Sequence, residues 1–496
     1  MNLKTNLKTL SAGALVLAAL NDVQAQYAPP PPPTPFQGFI NEYLRAKDPY
    51  MNQWDFGGDL RLRYQANEGY GIAGSPGSVD FRRTGANVNN EFYLSKLKIH
   101  AGYTDKWWSA YVELRSSVAL SDDRKAFVVA ATPLPNTYTR RGNGPEHDPL
   151  DLHQAYVTLG NHKEFPVSLK VGRQELSYGE ERLVGAFAWN NIGRVFDAAK
   201  VRWQNEWFAA EAFSGWVVIP ESTRFNEPNT QDWFSGIDAI SLKIPKTILE
   251  GYFFARNVTR AAGNYDNSPQ FPQPTARDIY TVGGRLKNKP GEIGNFDYTI
   301  EGAYQFGDYA AAATSARLRQ DAFMFVAQGG YTFADLWATP RLGLEYAYGS
   351  GDDNAKDGVH GTFENLFPTN HKFYGYMDFA SLQNLQDVRS LLTLKPTPRM
   401  SVAVEGHAFW LANKNDAFYN VGGGARTTGG YGANNTRGNF LGTEIDVIAG
   451  YAVTRFAQVE AGYGHFFTGT YIDKSLAKVG GSTDADWVYV QPTVNF

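Results

Sequence analysis

Phe296-Asp297-Tyr298-Thr299-Ile300-Glu301-Gly302-Ala303-Tyr304-Gln305-Phe306 is the stretch on which the fold turns. Phe296, Tyr298, Ile300, Gly302, Tyr304 and Phe306 share one face, and Asp297, Thr299, Glu301 and Gln305 share the other. Alternation at period two is the signature of a strand with one apolar and one polar face. Strands of ordinary sandwiches run to about five or six residues, whereas a tilted strand needs about nine to eleven to cross a bilayer. Working outward, Trp54, Phe56, Gly58, Leu60, Leu62 and Tyr64 alternate with Asp59, Arg61 and Arg63. Leu441, Thr443, Ile445, Val447, Ala449 and Tyr451 alternate with Glu444 and Asp446.

Eighteen such segments are predicted, with sixteen as the alternative count, over 53–65, 92–103, 107–119, 151–160, 166–176, 195–203, 207–218, 234–243, 248–257, 278–286, 295–307, 321–332, 338–349, 386–395, 400–411, 439–451, 455–466 and 486–496. Their connections form two classes. Residues 104–106, 161–165, 244–247, 396–399 and 452–454 are brief, while 66–91, 121–150, 219–233, 258–277, 350–385, 412–438 and 467–485 are long. Short turns on one side and long loops on the other describe an outer-membrane β-barrel. The competing reading, several secreted all-β domains, leaves that rhythm unexplained. Aromatics near segment ends (Trp107, Trp108, Trp203, Trp207, Phe253, Phe254, Tyr346 and Tyr348) suit the headgroup belts. Phe496 on a final amphipathic segment resembles the signal read by outer-membrane assembly machinery.

Composition narrows the class. The 496 residues carry 46 Lys plus Arg against 50 Asp plus Glu, a net charge of -4, which argues against a nucleic-acid binder. No apolar run beyond the first 25 residues reaches the roughly 20 that a membrane-spanning helix requires. The absence of Cys removes disulfides, thiol catalysis and thiolate metal sites. Lys4 and Lys8, the apolar stretch Leu10–Leu20 and Val23-Gln24-Ala25 predict a signal peptide over 1–25. A Pro-rich periplasmic segment without helix is expected over 26–52, and the barrel over 53–496; no helix longer than a turn or two is expected anywhere.

If the apolar faces meet lipid, the others line the lumen. The basic candidates are Arg61, Arg63, Lys96, Lys98, Arg115, Lys170, Arg173, Lys200, Arg202, Arg256 and Arg285. The acidic ones include Asp59, Glu113, Glu211, Glu250, Glu301, Glu345, Glu405, Glu444, Asp446 and Glu460. An Arg or Lys facing lipid at the midplane would cost about 2–4 kcal/mol, so these residues point inward. Clustered cations favour anions, and the Arg fork matches carboxylates. A mutually paired charge ladder in a wide pore is the alternative.

Gly172-Arg173-Gln174-Glu175-Leu176-Ser177-Tyr178-Gly179, Glu181-Arg182-Leu183-Val184-Gly185, Trp189, Arg194, Phe196 and Asp197 resemble the alginate-export family of outer-membrane proteins. So do Tyr348-Gly349-Ser350-Gly351-Asp352-Asp353, Phe363, Leu366-Phe367-Pro368-Thr369, His371 and Gly375, with a smaller echo in His407 and Asp416. The resemblance covers about 53–496. It implies a monomeric 18-stranded barrel with an electropositive constriction, and in the best-known member an exported polyuronate. Of the basic candidates, only Arg173 falls inside a matched motif, as does Arg182; the others rest on strand parity. Loops 350–385 and 422–437 are the expected plugs.

Other chemistry finds little support. Asp352, Asp353 and Asp357 are calcium candidates, but the loop lacks the EF-hand pattern. The eight His show no paired zinc spacing. Arg182 is expected either to fold inward or to pair with Glu180 or Glu181, and His371 to make a structural hydrogen bond. No cofactor is expected. The functional reading is a passive channel for an anionic carbohydrate, with a general or small-acid porin, a barrel enzyme acting on lipid or glycan, and an adhesive barrel as competitors. The partners expected are outer-membrane lipid, the assembly machinery and an anionic saccharide or small anion.

Overall fold

The computed structural model describes residues 36–70, 79–81, 89–124, 144–161, 164–222, 224–259, 264–265, 272–273, 276–289, 291–310, 315–427, 429–481 and 483–496. The expected signal peptide and the run Pro29–Pro35 lie outside them.

Eighteen antiparallel strands close into one barrel. The first six are β1 (Trp54–Glu68), β2 (Asn90–Thr104), β3 (Trp108–Leu120), β4 (Asp148–Leu159), β5 (Val167–Gln174) and β6 (Phe196–Gln204). Next come β7 (Phe208–Ile219), β8 (Glu227–Ser241), β9 (Thr247–Val258), β10 (Arg277–Asn288), β11 (Phe296–Tyr309) and β12 (Leu318–Thr332). The last are β13 (Arg341–Gly349), β14 (Leu385–Thr397), β15 (Met400–Leu411), β16 (Phe440–Ala452), β17 (Ala457–Thr468) and β18 (Asp484–Asn495). Each strand pairs with its neighbours in sequence, and β1 closes the ring by pairing with both β2 and β18; Leu60 faces Leu97 on one side and Val494 on the other. No sheet edge is left open, which is what a membrane-spanning sheet requires.

The period-two pattern sets the faces. On β11, Ile300 and Tyr304 are 43% and 44% exposed on the outer wall, while Glu301 between them is 4% exposed inside. Trp107, Trp108, Trp203, Trp207, Phe208 and Trp337 stand exposed at the short-turn end, the position of an interfacial belt. Phe254 departs from the expected belt. It points inward, buried against Tyr178, Phe213 and Phe234, because its parity follows Tyr252 and Arg256.

Two expectations are corrected. Strand β8 begins at Glu227 instead of 234, since its polar first turn of sequence has no apolar face to betray a strand. Residues 39–47 form helix α1 (Phe39–Lys47), where an extended segment was expected. Its helical form is fixed by tertiary contacts: the Phe56 amide donates to Asn41 Oδ1 at 2.8 Å, Arg45 Nη2 donates to Trp54 O at 2.7 Å, and Glu42 pairs with Arg455. A second helix, α2 (Thr470–Leu476), buries Tyr471 and Ile472 in the last long loop.

The barrel seam is fastened by a reciprocal pair, Phe496 N to Gly58 O and Gly58 N to Phe496 O, each 2.9 Å. A Cβ at Gly58 would lie 2.8 Å from the Phe496 ring and closer still to Lys98 O. Gly58→Val is therefore expected to destabilise closure by about 1–3 kcal/mol through overpacking. The check is the temperature at which the heat-modifiable barrel loses its compact electrophoretic mobility; an unchanged midpoint would remove the seam argument.

Candidate functional site in the barrel lumen

The core of this protein lies inside the barrel. After β5 the chain turns into the lumen through Gly179 and Glu181, both at positive φ (59° and 69°). The segment 175–195 crosses from one wall to the other. At its start, Glu180 takes Lys287 Nζ at 2.8 Å and lies 3.5 Å from Arg285, both on β10. Burial would raise the Glu180 carboxyl, but the charges of Lys287, Arg285 and Arg182 outweigh it and hold it at about 2. Arg182 forms an ion pair with Glu345 on β13 and lies over the Phe373 ring, so neither Glu180 nor Glu181 is its main partner.

At the far wall the loop presents carbonyls to cations. Arg61 donates to Ala188 O at 3.0 Å and Trp189 O at 2.9 Å. Lys96 donates to Ala188 O at 2.9 Å and Asn190 O at 3.0 Å, Arg63 to Trp189 O at 2.7 Å, and Arg115 to Ile192 O at 2.6 Å.

The second infolded segment, 361–384, lies against the first. Val184 and Phe367 form a parallel bridge, with Phe367 N donating to Leu183 O and Gly185 N to Phe367 O, both at 2.8 Å. Arg194 clips the two together, donating to Gly185 O at 3.0 Å, Pro368 O at 2.9 Å and Phe367 O. The wall holds this segment too. Arg277 pairs with Glu364, Arg256 donates to Leu366 O at 3.2 Å, and Glu444 accepts Met377 N at 2.9 Å. Trp189 sits between the Arg63 guanidinium, 3.4 Å from its ring, and a stacked His371 ring at 4.0 Å. His371 in turn contacts Asp378 at 3.0 Å, the structural bond expected of it. A third segment lies across these loops through Asp416, which accepts Thr362 Oγ1 at 2.6 Å, and through Asn370, which donates to Val421 O at 2.7 Å. Of the expected plugs, 350–385 does fill the lumen, and the Gly-rich loop supports it from above. Segment 175–195, which was not counted among the long loops, fills it equally.

The basic candidates divide into two sets. Arg61, Arg63, Lys96, Arg115, Arg256 and Arg285 are buried against the infolded loops or in wall ion pairs, so they do not line open water here. Arg256 pairs with Asp232 at 2.6 Å, Arg285 with Glu250, and Arg115 with Asp148. The half nearer the short turns is more open. There Lys98 lies 3.5 Å from Asp59 and 3.6 Å from Glu113, and Lys200 and Arg202 both hold Glu211, at 2.9 and 2.7 Å. Arg173 pairs with Asp197 at 2.7 Å, and the Lys170 ammonium rests 3.5 Å over Tyr156.

The acidic candidates are likewise engaged. Glu301 and Glu460 accept the hydroxyls of Tyr252 and Tyr489, at 2.9 and 2.7 Å. Glu405 holds Arg389 at 2.6 Å, and Asp446 stands opposite it in register. His407 pairs with Asp387 at 3.0 Å.

Arg277, Arg389 and Glu364 were missed. Strand parity would have found Arg389, whereas Arg277 precedes the predicted start of its strand. The calcium candidates do not converge. Asp352 and Asp357 accept loop amides at 2.9 and 2.8 Å, and among the described residues no three acidic or histidine side chains form a metal-binding group. Among the described residues, narrow clefts lie beside the plug. Tyr70, Trp189, Tyr376 and Trp487 help line one, Arg194, Asn365 and Asn370 the other, and Phe187 and Val421 border both.

A sequence model of the family described as alginate export matches residues 52–482. No curated protein matches the chain. Among solved structures, OpdK of Pseudomonas aeruginosa with vanillate is 14% identical at TM-score 0.54, covering 89% of this chain and 98% of its own. OpdQ of the same organism is 12% identical at TM-score 0.53, covering 90% and 98%. OccAB4 of Acinetobacter baumannii is 13% identical at TM-score 0.51, covering 89% and 98%.

Proposed function

Since the chain belongs to the alginate-export family of outer-membrane β-barrel proteins and is an outer-membrane channel, we propose that it passively conducts an anionic carbohydrate, and that an alginate-like polyuronate is the cargo. One observation carries this reading. Arg61, Arg63 and Lys96 stand together on β1 and β2, and among the described residues none has a carboxylate within 4.0 Å. Buried cations without a direct ion-pair partner are costly, which supports a reading in which an anion passes them. Lys98, Lys170, Lys200 and Arg202, on the short-turn side, add cations to the approach, tempered by Asp59, Glu113 and Glu211. On this reading the barrel works as a monomer.

A second reading is a porin for small acids. It is supported by the filled lumen, whose clefts suit a small solute better than a polymer, and by the likeness to a barrel crystallised with the carboxylate vanillate.

Ion selectivity in planar bilayers separates the two. Anion-selective openings that galacturonate oligomers block, with a block weakened about tenfold by Lys170→Gln plus Lys200→Gln, are expected for the conduit. Openings indifferent to oligomers but occupied by monomeric acids would favour the porin. A folded protein that never conducts would defeat both.

A further inference from the structure

Most donors of Arg61, Arg63 and Lys96 are filled by the protein itself, with Arg61 Nε left over. Arg61 and Lys96 face each other directly in the β1–β2 register, a like-charged pair that ordinarily repels. Both reach the same acceptors. Ala188 O receives Arg61 Nη1 at 3.0 Å and Lys96 Nζ at 2.9 Å, and Asn190 O receives Arg61 Nη2 at 3.3 Å and Lys96 Nζ at 3.0 Å. Trp189 O lies between, 2.9 Å from Arg61 and 2.7 Å from Arg63. Arg63 has one further acceptor, the neutral side-chain oxygen of Gln491 at 2.8 Å. Three adjacent carbonyl oxygens thus occupy a nest of three cations.

We propose that residues 188–190 are a built-in stand-in for cargo, and that a uronate carboxylate binds Arg61, Arg63 and Lys96 by displacing them, so that the cargo opens its own path. This rests on the reading of the protein as an anion conduit and adds a binding site and a gate to it.

Two further observations support displacement. A carboxylate makes charge-assisted bonds to a guanidinium that are about twice as strong as those of a neutral carbonyl, and it cancels a charge that carbonyls leave standing. The exchange is therefore favourable at this nest, but not at Arg256, Arg285 or Arg389, which already hold Asp232, Glu250 and Glu405. The run is also poised to leave. Phe187, which precedes it, is held at φ 53°, a left-handed conformation that a bulky side chain adopts only under constraint, and Ala188 is exposed to solvent from the lumen.

The test uses the lack of native cysteine. Ser117 on β3 is fully buried beneath the loop, its hydroxyl donating to Asn191 O at 2.5 Å. Ser117→Cys in proteoliposomes is labelled with a small maleimide, with trigalacturonate or neutral maltotriose as probe. Labelling is expected to rise about tenfold with trigalacturonate and not with maltotriose. In Ser117→Cys combined with Arg61→Gln and Lys96→Gln, the trigalacturonate response disappears. Amide hydrogen exchange across 186–193 in the unmodified chain reads the same opening without any substitution. If trigalacturonate changes neither labelling nor exchange while still permeating, the stand-in is wrong and the conduit stands. If it changes both without permeating, the site stands and the conduit falls.

Discussion

Arg194→Ala is expected to turn a closed barrel into a steadily conducting one. A single guanidinium holds Gly185 O, Phe367 O and Pro368 O, tying the two infolded segments to each other. Removing it leaves Gly185 O and Pro368 O without this donor, at about 1–3 kcal/mol for each unsatisfied group, while Phe367 O keeps the Gly185 amide. The loss falls on both segments at once, because the Val184–Phe367 bridge couples them. No ladder hydrogen bond of the wall involves this side chain, so the barrel itself should stay folded. Single-channel recording should show long openings of larger conductance than the parent protein gives, with heat-modifiable mobility intact. A folded Arg194→Ala protein with unaltered conductance would mean that the loops do not obstruct passage.

The second large effect is expected at the other end of the plug, and it depends on pH. Glu180 is ionised in the folded protein down to about 2, against an ordinary value of 4.5. A depressed carboxyl pKa stabilises the folded arrangement above the unfolded value and loses that stabilisation as pH falls through the folded one. The anchorage of segment 175–195 should therefore be constant from pH 7 to about 5, and weaken between about 4.5 and 2. The shift corresponds to on the order of 3 kcal/mol, enough to decide whether a loop stays docked. Openings should become frequent over that acid window. Glu180→Gln should show them already at neutral pH, since Lys287 then faces a neutral amide and Arg285 keeps only Glu250. Conductance titrated from pH 7 to 3 in both proteins is the measurement. An acid transition that survives Glu180→Gln unchanged would assign it to other groups.

Most of the wall was legible in the residues, because parity is a local property. Each predicted segment overlaps an observed strand, and Glu301 lies inside while Ile300 lies outside, as alternation requires. What fills the wall was less legible. Arg182 can be recognised in a motif, but its partner Glu345 is 163 residues away, and no local pattern encodes that distance. The same holds for Arg61, whose polar face is readable while its acceptors are carbonyls of a loop 127 to 129 residues further on. Parity assigns these charges to the inner face; whether an inward cation meets water, a carboxylate or a loop is decided by tertiary packing. Helix α1 escaped for a related reason. Its nine residues would be marginal alone, and they hold their form through Asn41, Arg45 and Glu42 against the strand and turn beside them.

The reciprocal bond between Gly58 and Phe496 also bears on how the molecule is made. Every other neighbouring pair of strands in the wall is a hairpin, sequence-adjacent across a turn or loop, and can zip up locally at modest entropic cost. The pairing of β1 with β18 joins Asp59 to Asn495, 436 residues apart, and Arg63 contacts Gln491 across 428. Contacts of such separation form late, because the intervening chain must first be ordered. The ring should then close as the final step of assembly, by which time the segments that fill the lumen can already have been drawn inside. A chain whose seam is weakened would accumulate as an open, curled sheet with a bare edge at each end, the species most exposed to pairing with another copy of itself.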